Sequence, residues 1–203
     1  HHMPTVVERL FQENGKEILG QIKWGHQLDC VQPGVYVVAL TNQADKMLCY
    51  NEAPISEGLV EEWVNRVPYM TLDRTLPTVN TLTKRLKDFW LPDETVLYIG
   101  KAGTSLQQRV NQYYTTTLGS PGPHRGGHWL KTLNNLTELN IYWTTSEGST
   151  AHDLESVFLD YFVKRVSCES RKILRDPIHP FPFANIEFPK GVRKDHGLRK
   201  QTT

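Results

Sequence analysis

The sequence of 203 residues is 38% hydrophobic, 10% aromatic and 22% charged, which suits one substantial domain and excludes wholesale disorder. Its formal net charge of +1 is uneven, since residues 1–163 sum to −5 and residues 164–203 to +6. A basic C-terminal segment indicates a polyanionic partner. The sequence has no run of 18 apolar residues, and the start, where His1-His2 resembles a tag remainder before Met3, has no signal-peptide core. A membrane span and secretion are therefore disfavoured.

The cysteines agree with a reducing compartment. Cys30, Cys49 and Cys168 are odd in number, widely spaced and never part of a C-x-x-C pair. We expect three reduced thiols in a cytoplasmic protein.

The first part of the chain, residues 3–32, is predicted to be a helical extension. Residues 4–24 have a helical pattern, in which Pro4 suits a first turn and Asn14-Gly15 indicates a break. Pro33-Gly34 then precedes VYVVAL, a short and nearly continuous apolar run. Such a run is typical of a strand buried on both faces.

Residues 41–93 are predicted to be a helical insertion. Ser56 is a candidate cap for one amphipathic helix, and a second stretch places Val79, Leu82, Leu86 and Phe89 three or four residues apart. Pro54, Pro68, Pro77 and Pro92 punctuate the segment.

The core pattern resumes with TVLYIG at residues 95–100, a second buried strand. Thr104 or Ser105 can cap the following helix, LQQRVNQYY. Residues 119–128 are too rich in Gly and Pro for regular structure, residues 139–143 alternate as a strand, and a further helix starts near Ser149 or Thr150.

These elements predict a small α/β (α+β) fold. We expect a mixed sheet of three or more strands flanked by helices, with the core domain at residues 33–189 and a basic tail at residues 190–203.

Several polar residues are unusual for a purely structural role. Tyr36 and Tyr98 place phenols in apolar strands, and Arg109 and Tyr113 share one helix face at i, i+4. Glu155 lies at the edge of an apolar helical stripe, where a carboxylate needs an ion pair, hydrogen bonds or a metal. Strand tyrosines, helix arginines and boundary glutamates are, however, more often structural than functional.

The loop GPHRGGH is a further candidate. It gathers His124, Arg125 and His128 among glycines that can let a phosphate approach the backbone. A zinc site at the two histidines is disfavoured, because the glycines argue against a helix and no cysteine is near.

Together these residues resemble the GIY-YIG nuclease family. The first motif is GVY at 34–36, and the second is YIGKAGTSLQQRVNQYY at 98–114, which is also similar to the nuclease module of bacterial excision-repair incision proteins. Glu155 follows on a helix, and Asn185 stands in PFANIEFP. The resemblance covers residues 33–40 and 94–189.

The resemblance implies hydrolysis of DNA phosphodiesters to 5′-phosphate and 3′-hydroxyl ends, with one Mg²⁺ or Mn²⁺ per active site. Tyr36 would be the general base or orient the water, helped by the charge of Lys101. Arg109 would bind the non-bridging oxygens and Glu155 the metal. Tyr98, Tyr113 and Asn185 would complete the hydrogen-bond shell.

The chain also departs from the family pattern. The two strand tyrosines are normally joined by a short hairpin, whereas residues 41–93 intervene here. Some relatives have a His four residues after the Arg, where Tyr113 stands, and His124 or His128 could take the place of a later loop His.

The partner implied is DNA, double-stranded, bound by a homodimer or a transient pair in a bacterial or archaeal cytoplasm. The insertion is expected to contribute to DNA or partner recognition. Phosphate contacts are expected from the loop and the tail, at Arg125, Lys190, Arg193, Lys194, His196, Arg199 and Lys200.

The nearest likeness is to GIY-YIG type II restriction enzymes, which are short and carry their DNA contacts as insertions. A repair or mobile-element nuclease is the alternative, although the chain has little room for their further domains. A DNA-binding protein on a degenerate nuclease scaffold is a third hypothesis, disfavoured by the presence of every catalytic residue type.

Overall fold

The computed structural model describes residues 3–120, 127–188 and 191–200. The helices are α1 (Val7–Gln12), α2 (Glu57–Arg66), α3 (Val79–Lys87), α4 (Leu106–Thr115), α5 (Gly127–Leu130), α6 (Ala151–Arg165) and α7 (Cys168–Ile173). The strands are β1 (Gly20–Lys23), β2 (Gly34–Ala39), β3 (Met70–Leu72), β4 (Val96–Ala102), β5 (Asn140–Thr145), β6 (Glu187–Phe188), β7 (Val192–Arg193) and β8 (Leu198–Lys200). No helix in these ranges is long and apolar enough to cross a membrane.

The α+β class is confirmed. Four strands form the central sheet in the order β1-β5-β2-β4, and their pairings are antiparallel rather than mixed. Every residue of β2 is buried, as its apolar run predicts, and Tyr36 pairs with Gly100 on β4. β4 is an edge strand, so the second motif lies along one side of the sheet.

Helices cover both faces of the sheet. On one face α1 and α6 pack Phe11, Phe158 and Phe162 against Val35 and Val37. The other face carries α2, α3, α4 and the aromatic residues of both motifs. Because successive side chains of a strand point to opposite faces, Tyr36 lies in one hydrophobic core and its neighbours Val35 and Val37 lie in the other.

The prediction of helix through residue 24 is wrong. Helix α1 ends at Gln12, and Gly20–Lys23 form β1, which pairs with β5. A Cβ at Gly20 would lie 2.1 Å from the Trp143 ring, so glycine lets the ring cover this strand. Pairing with a distant strand overrides the local helical pattern.

The prediction of helices in the insertion is confirmed by α2 and α3. Ser56 caps α2 by accepting from the Leu59 amide, and Thr78 and Thr81 form a capping box at α3. The insertion also contains an unpredicted strand, because β3 pairs with β8.

The described part of the C-terminal segment, residues 191–200, is not a solvated tail. Arg85 of α3 donates to both Asp73 carboxylate oxygens, at 3.1 and 2.6 Å, and to the His196 carbonyl at 2.8 Å. A Cβ at Gly197, where φ is +73°, would lie 2.2 Å from Asp73 Oδ1. The insertion and the C-terminal segment therefore fix each other.

Candidate active site

Tyr36 and Tyr98 come together on one face of the sheet. They lie on the neighbouring strands β2 and β4, and their ring centroids are 5.9 Å apart. A Cβ at Gly100 would lie 2.5 Å from Tyr36 Cζ and 2.6 Å from Tyr98 Cε2. The glycine of the second motif thus leaves the space that the two phenol rings occupy.

Helix α4 adds Tyr113 to this cluster. Its ring centroid is 5.3 Å from that of Tyr98 and 6.4 Å from that of Tyr36. Burial raises the pKa of Tyr36 and Tyr113 well above 10 and that of Tyr98 to about 12. Arg109 opposes the shift at Tyr36, but burial is the larger effect. All three phenols are therefore neutral near neutral pH.

The charged residues of the motif come from three elements. Lys101 lies near the end of β4, Arg109 on α4 and Glu155 on α6. Burial raises the pKa of the Glu155 carboxyl to about 7, while Lys101 and Arg109 act in the opposite direction. The two cations therefore lie within electrostatic reach of the carboxylate, which is also coupled to Tyr36 and Tyr98.

A polar cleft opens beside these cations. It has a volume of about 370 Å³, and its lining includes Lys101, Arg109, Ser105, Gln108 and Gln112. The lining consists largely of cations, amides and hydroxyls, which are donors for an anionic ligand such as a phosphodiester.

Sequence reasoning missed His152, which contacts this group. His152 Nδ1 lies 2.9 Å from Lys101 Nζ, and His152 is three residues before Glu155 on α6. The i, i+3 spacing from Glu155 was the only local signal.

Lys131 was also missed. Its ammonium lies 5.8 Å from the centroid of the Tyr113 ring and donates to the Thr116 carbonyl at the end of α4. Burial lowers its pKa to about 8. Its contacts hold α4 and the ring of Tyr113 in place.

Asn185 does not have the contacts expected of a catalytic residue. Its Oδ1 accepts from the Ile99 amide and its Nδ2 donates to the Ile99 carbonyl, both at 2.9 Å, and the side chain is buried. The Asn185 side chain thus provides hydrogen-bond partners for the backbone N–H and C=O of Ile99 on the edge strand β4, between Tyr98 and Gly100. Its role in this structure is to hold the second motif in place.

The loop histidine His128 is structural as well. Its Nδ1 accepts from the Gly119 amide at 3.1 Å, and its Nε2 lies 3.0 Å from the Ser120 carbonyl. Burial lowers its pKa to about 4, so the ring is neutral and donates through Nε2. His124 and Arg125 lie outside the described residues.

The expected phosphate contacts divide into two groups. Lys194 is only 3% exposed: Nζ donates to the Phe183 carbonyl at 2.7 Å and lies 4.5 Å from the centroid of the Trp129 ring. A phosphate role for Lys194 is therefore wrong, and His196 is also largely withdrawn from solvent, which lowers its pKa to about 4.

Arg193 and Arg199 remain exposed, and Arg193 lies 3.6 Å from Glu187. Lys190 and the side chain of Lys200 lie outside the described residues. The surface cations available for a polyanion here are thus fewer than the sequence indicates.

The described residues offer few side chains that could hold the metal implied by the resemblance. The described ranges contain no group of three or more His, Cys, Asp or Glu residues that could hold an ion. Among the described residues, Glu155 is the carboxylate that the resemblance assigns to the metal, and it is electrostatically coupled to Lys101 and Arg109 of the cleft. Mg²⁺ is commonly held by one or two carboxylates, with waters and substrate phosphates as its other ligands, so the single carboxylate fits Mg²⁺ and does not fit zinc.

Comparisons with known proteins assign no family. No protein-family model matches the chain, and neither a curated protein nor a solved structure does so. Function is therefore inferred from the residues of the site.

Proposed function

We propose that the protein is a Mg²⁺-dependent DNA endonuclease that hydrolyses phosphodiester bonds to 5′-phosphate and 3′-hydroxyl ends. One observation carries the proposal. Lys101 and Arg109 line a polar cleft, and Glu155, from a later helix, is electrostatically coupled to both cations. The same carboxylate is coupled to the paired phenols Tyr36 and Tyr98. These are residue types that the resemblance to the GIY-YIG family implies for the site.

Each side chain has a role that its chemistry allows. The planar guanidinium of Arg109 donates to the non-bridging oxygens as negative charge develops on them. Lys101 supplies a second positive charge in the same cleft. Glu155 is the residue that would hold Mg²⁺, which when bound supplies charge neutralisation at the leaving oxygen.

The role of Tyr36 is restricted by its burial. Its side chain is 0% exposed and its pKa is raised, so the phenol keeps its own proton near neutral pH and cannot act as a base in that form. Acting as general base would require a cation near the phenol that stabilises its ionised form. Orienting the attacking water through a neutral hydroxyl is the other proposed role, and it does not require the phenol to lose its proton.

Glu155→Gln tests the nuclease chemistry. Glutamine keeps the size of the side chain but loses the charge that would hold a cation, and loss of a main electrostatic contribution costs about 10²–10³-fold in rate or more. The variant should fold, bind DNA and fail to cut. Removing an anion near the phosphate should leave affinity equal or higher. Arg109→Ala should also lose cutting.

Glu138→Gln is the matched control, because Glu138 is exposed and far from the cleft residues in sequence. Cleavage is measured beside gel-shift affinity at several Mg²⁺ concentrations, with melting curves for every protein. A Glu155→Gln protein that melts normally and cuts at the wild-type rate contradicts the mechanism.

The biological class proposed is a sequence-specific type II restriction enzyme, acting on double-stranded DNA as a homodimer or transient pair. A repair or mobile-element nuclease is the alternative. Incubation with a mixture of plasmids and Mg²⁺ separates these classes, since discrete fragments require a specific site. Sequence-independent nicking would contradict the restriction assignment, and binding without any cutting would leave a non-catalytic DNA-binding protein.

A further inference from the structure

In the contact between Lys101 and His152, the donor and the acceptor can be assigned. An ammonium has three donors and no acceptor, so at 2.9 Å the His152 Nδ1 must be the acceptor. The imidazole is then neutral with its proton on Nε2. The contact fixes one tautomer of His152 as well as the direction of one Lys101 N–H.

Both residues are held by regular structure. Lys101 lies on β4 opposite Val35 of β2. His152 lies in the first turn of α6, where Thr150 caps the helix by accepting from the Asp153 amide at 3.0 Å. The contact thus joins the edge strand of the sheet to the helix that carries Glu155.

The Lys101 ammonium does not form an ion pair with the nearby carboxylate of Glu155. Glu155 is electrostatically coupled to Lys101, yet across the described ranges Glu155 forms no ion pair within 4.0 Å. A carboxylate is a strong acceptor for a lysine ammonium, because both partners are charged. Here the imidazole holds the ammonium instead, and the Glu155 oxygens are not taken up by Lys101.

We propose that His152 is a positioning residue for the nuclease reaction: its Nδ1 holds the Lys101 ammonium at the cleft and away from a direct ion pair with Glu155. Both groups then stay available to the incoming phosphate and its cation. This inference rests on the proposed nuclease function.

Kinetics of substituted proteins test the positioning role. His152→Ala should lower kcat by about 10- to 100-fold, the cost typical of a small misplacement of a catalytic group. KM for DNA and gel-shift affinity should stay within about twofold, since positioning rather than uniform binding is lost. His152→Asn should restore most of kcat, because its Oδ1 can accept near the position of Nδ1. His152→Gln, which places its amide further out, should not.

A double-mutant cycle shows whether the effect passes through Lys101. In a Lys101→Ala background, His152→Ala should cause no further loss of kcat. An equal loss in both backgrounds, or wild-type kcat in His152→Ala, would overturn the positioning role.

Nitrogen-15 NMR of the histidine rings tests the contact without any cleavage assay. The His152 ring should show an unprotonated Nδ1 and a protonated Nε2, and Lys101→Ala should move the Nδ1 resonance. A wild-type ring protonated at Nδ1 overturns the inference.

The two proposals fail in different ways. A wild-type protein that never cuts DNA overturns the nuclease function, and the positioning role with it, even if the NMR contact is present. A wild-type protein that cuts, with an equally active His152→Ala variant, overturns the positioning role alone.

Discussion

At the scale of single residues, the tyrosine cluster depends on the missing side chain of Gly100. An added Cβ would lie 2.7 Å from the Tyr36 hydroxyl as well as against both rings. The rings are confined between two strands and α4, so they can move only by disturbing the core.

We therefore predict that Gly100→Ala folds but loses about 1–3 kcal/mol of unfolding free energy, as overpacked cores do, and cuts DNA more slowly. Gly103→Ala is the control, because nothing lies within 4 Å of a Cβ there. Urea unfolding of both proteins and the cleavage rate of Gly100→Ala check this. Equal stability of the two variants would show that the rings have room to adjust.

The raised pKa of Glu155 leads to a second prediction at the scale of single residues. Its pKa of about 7 means that at pH 6 the carboxyl is mostly protonated and at pH 8 mostly ionised. Only the ionised form would hold a cation, so cleavage at low Mg²⁺ should rise with pH through about 7.

Higher Mg²⁺ favours the ionised form and should move the midpoint of this rise to lower pH. Cleavage rates from pH 5.5 to 8.5 at two Mg²⁺ concentrations measure the shift. A midpoint that does not depend on Mg²⁺ would assign the titration to another group.

At the scale of elements, the C-terminal strand β8 and the insertion strand β3 form one unit with α3. Lys194 belongs to the interior of this unit, where its Nζ donates to the Phe183 carbonyl and lies over the Phe89 and Trp129 rings. Burial lowers the pKa of Lys194 well below its ordinary value. Arg199 pairs with Thr71 through the backbone and leaves its side chain exposed. Two basic residues five positions apart therefore have opposite environments.

We predict that Arg199→Gln weakens DNA binding similarly for all sequences. It should also reduce the slope of the logarithm of the binding constant against the logarithm of salt concentration by about one. Lys194→Met should leave that slope unchanged, because the Lys194 side chain is buried and makes no contact with a DNA phosphate that could displace a counterion. Gel shifts at four salt concentrations separate the two. A flatter slope in Lys194→Met would mean that this segment opens when DNA binds.

How far each element could be predicted depends on where its partners lie. β2 and β4 are continuous apolar runs, so the sequence alone shows them, whereas β1 is an edge strand of alternating partial burial and depends on Trp143 for its cover. The same limit applies to the candidate site. Residue types identify Tyr36 and Glu155, but only the fold shows that the amide of Asn185 is used by Ile99.

Lys194 was assigned to phosphate for a similar reason. A lysine is rarely buried unless it is paired, and its ring partners come from residues about 65 and 105 positions earlier. No local pattern can show such a pairing.

At the scale of the whole molecule, one buried carboxyl connects stability to pH. Glu94 is 1% exposed, accepts from the Thr5 amide at 2.9 Å, and has a pKa raised to about 8 by burial. In the unfolded chain the value is about 4.3. The folded state therefore binds the proton more tightly, and between these two values the unfolding free energy falls as pH rises.

We predict that Glu94→Gln raises the melting temperature, with a gain that is small at pH 5 and largest above pH 8. Glutamine keeps an acceptor for the Thr5 amide and carries no charge to desolvate. Melting curves of both proteins from pH 5 to 9 measure the gain. A gain that does not change with pH would mean that Glu94 is solvated when it ionises.

The pairing of β3 with β8 also sets an order of events during synthesis. Met70 and Lys200 are 130 positions apart, so the insertion leaves the ribosome long before the strand that completes it. The candidate site residues from Tyr36 to Glu155 are also translated before that strand. Domains fold progressively as they are synthesised, so a nascent chain would contain the candidate site residues while α3 and β3 still lack their last partner. For the proposed nuclease this delay would protect the host, because the insertion would become complete only after the chain has passed residue 200.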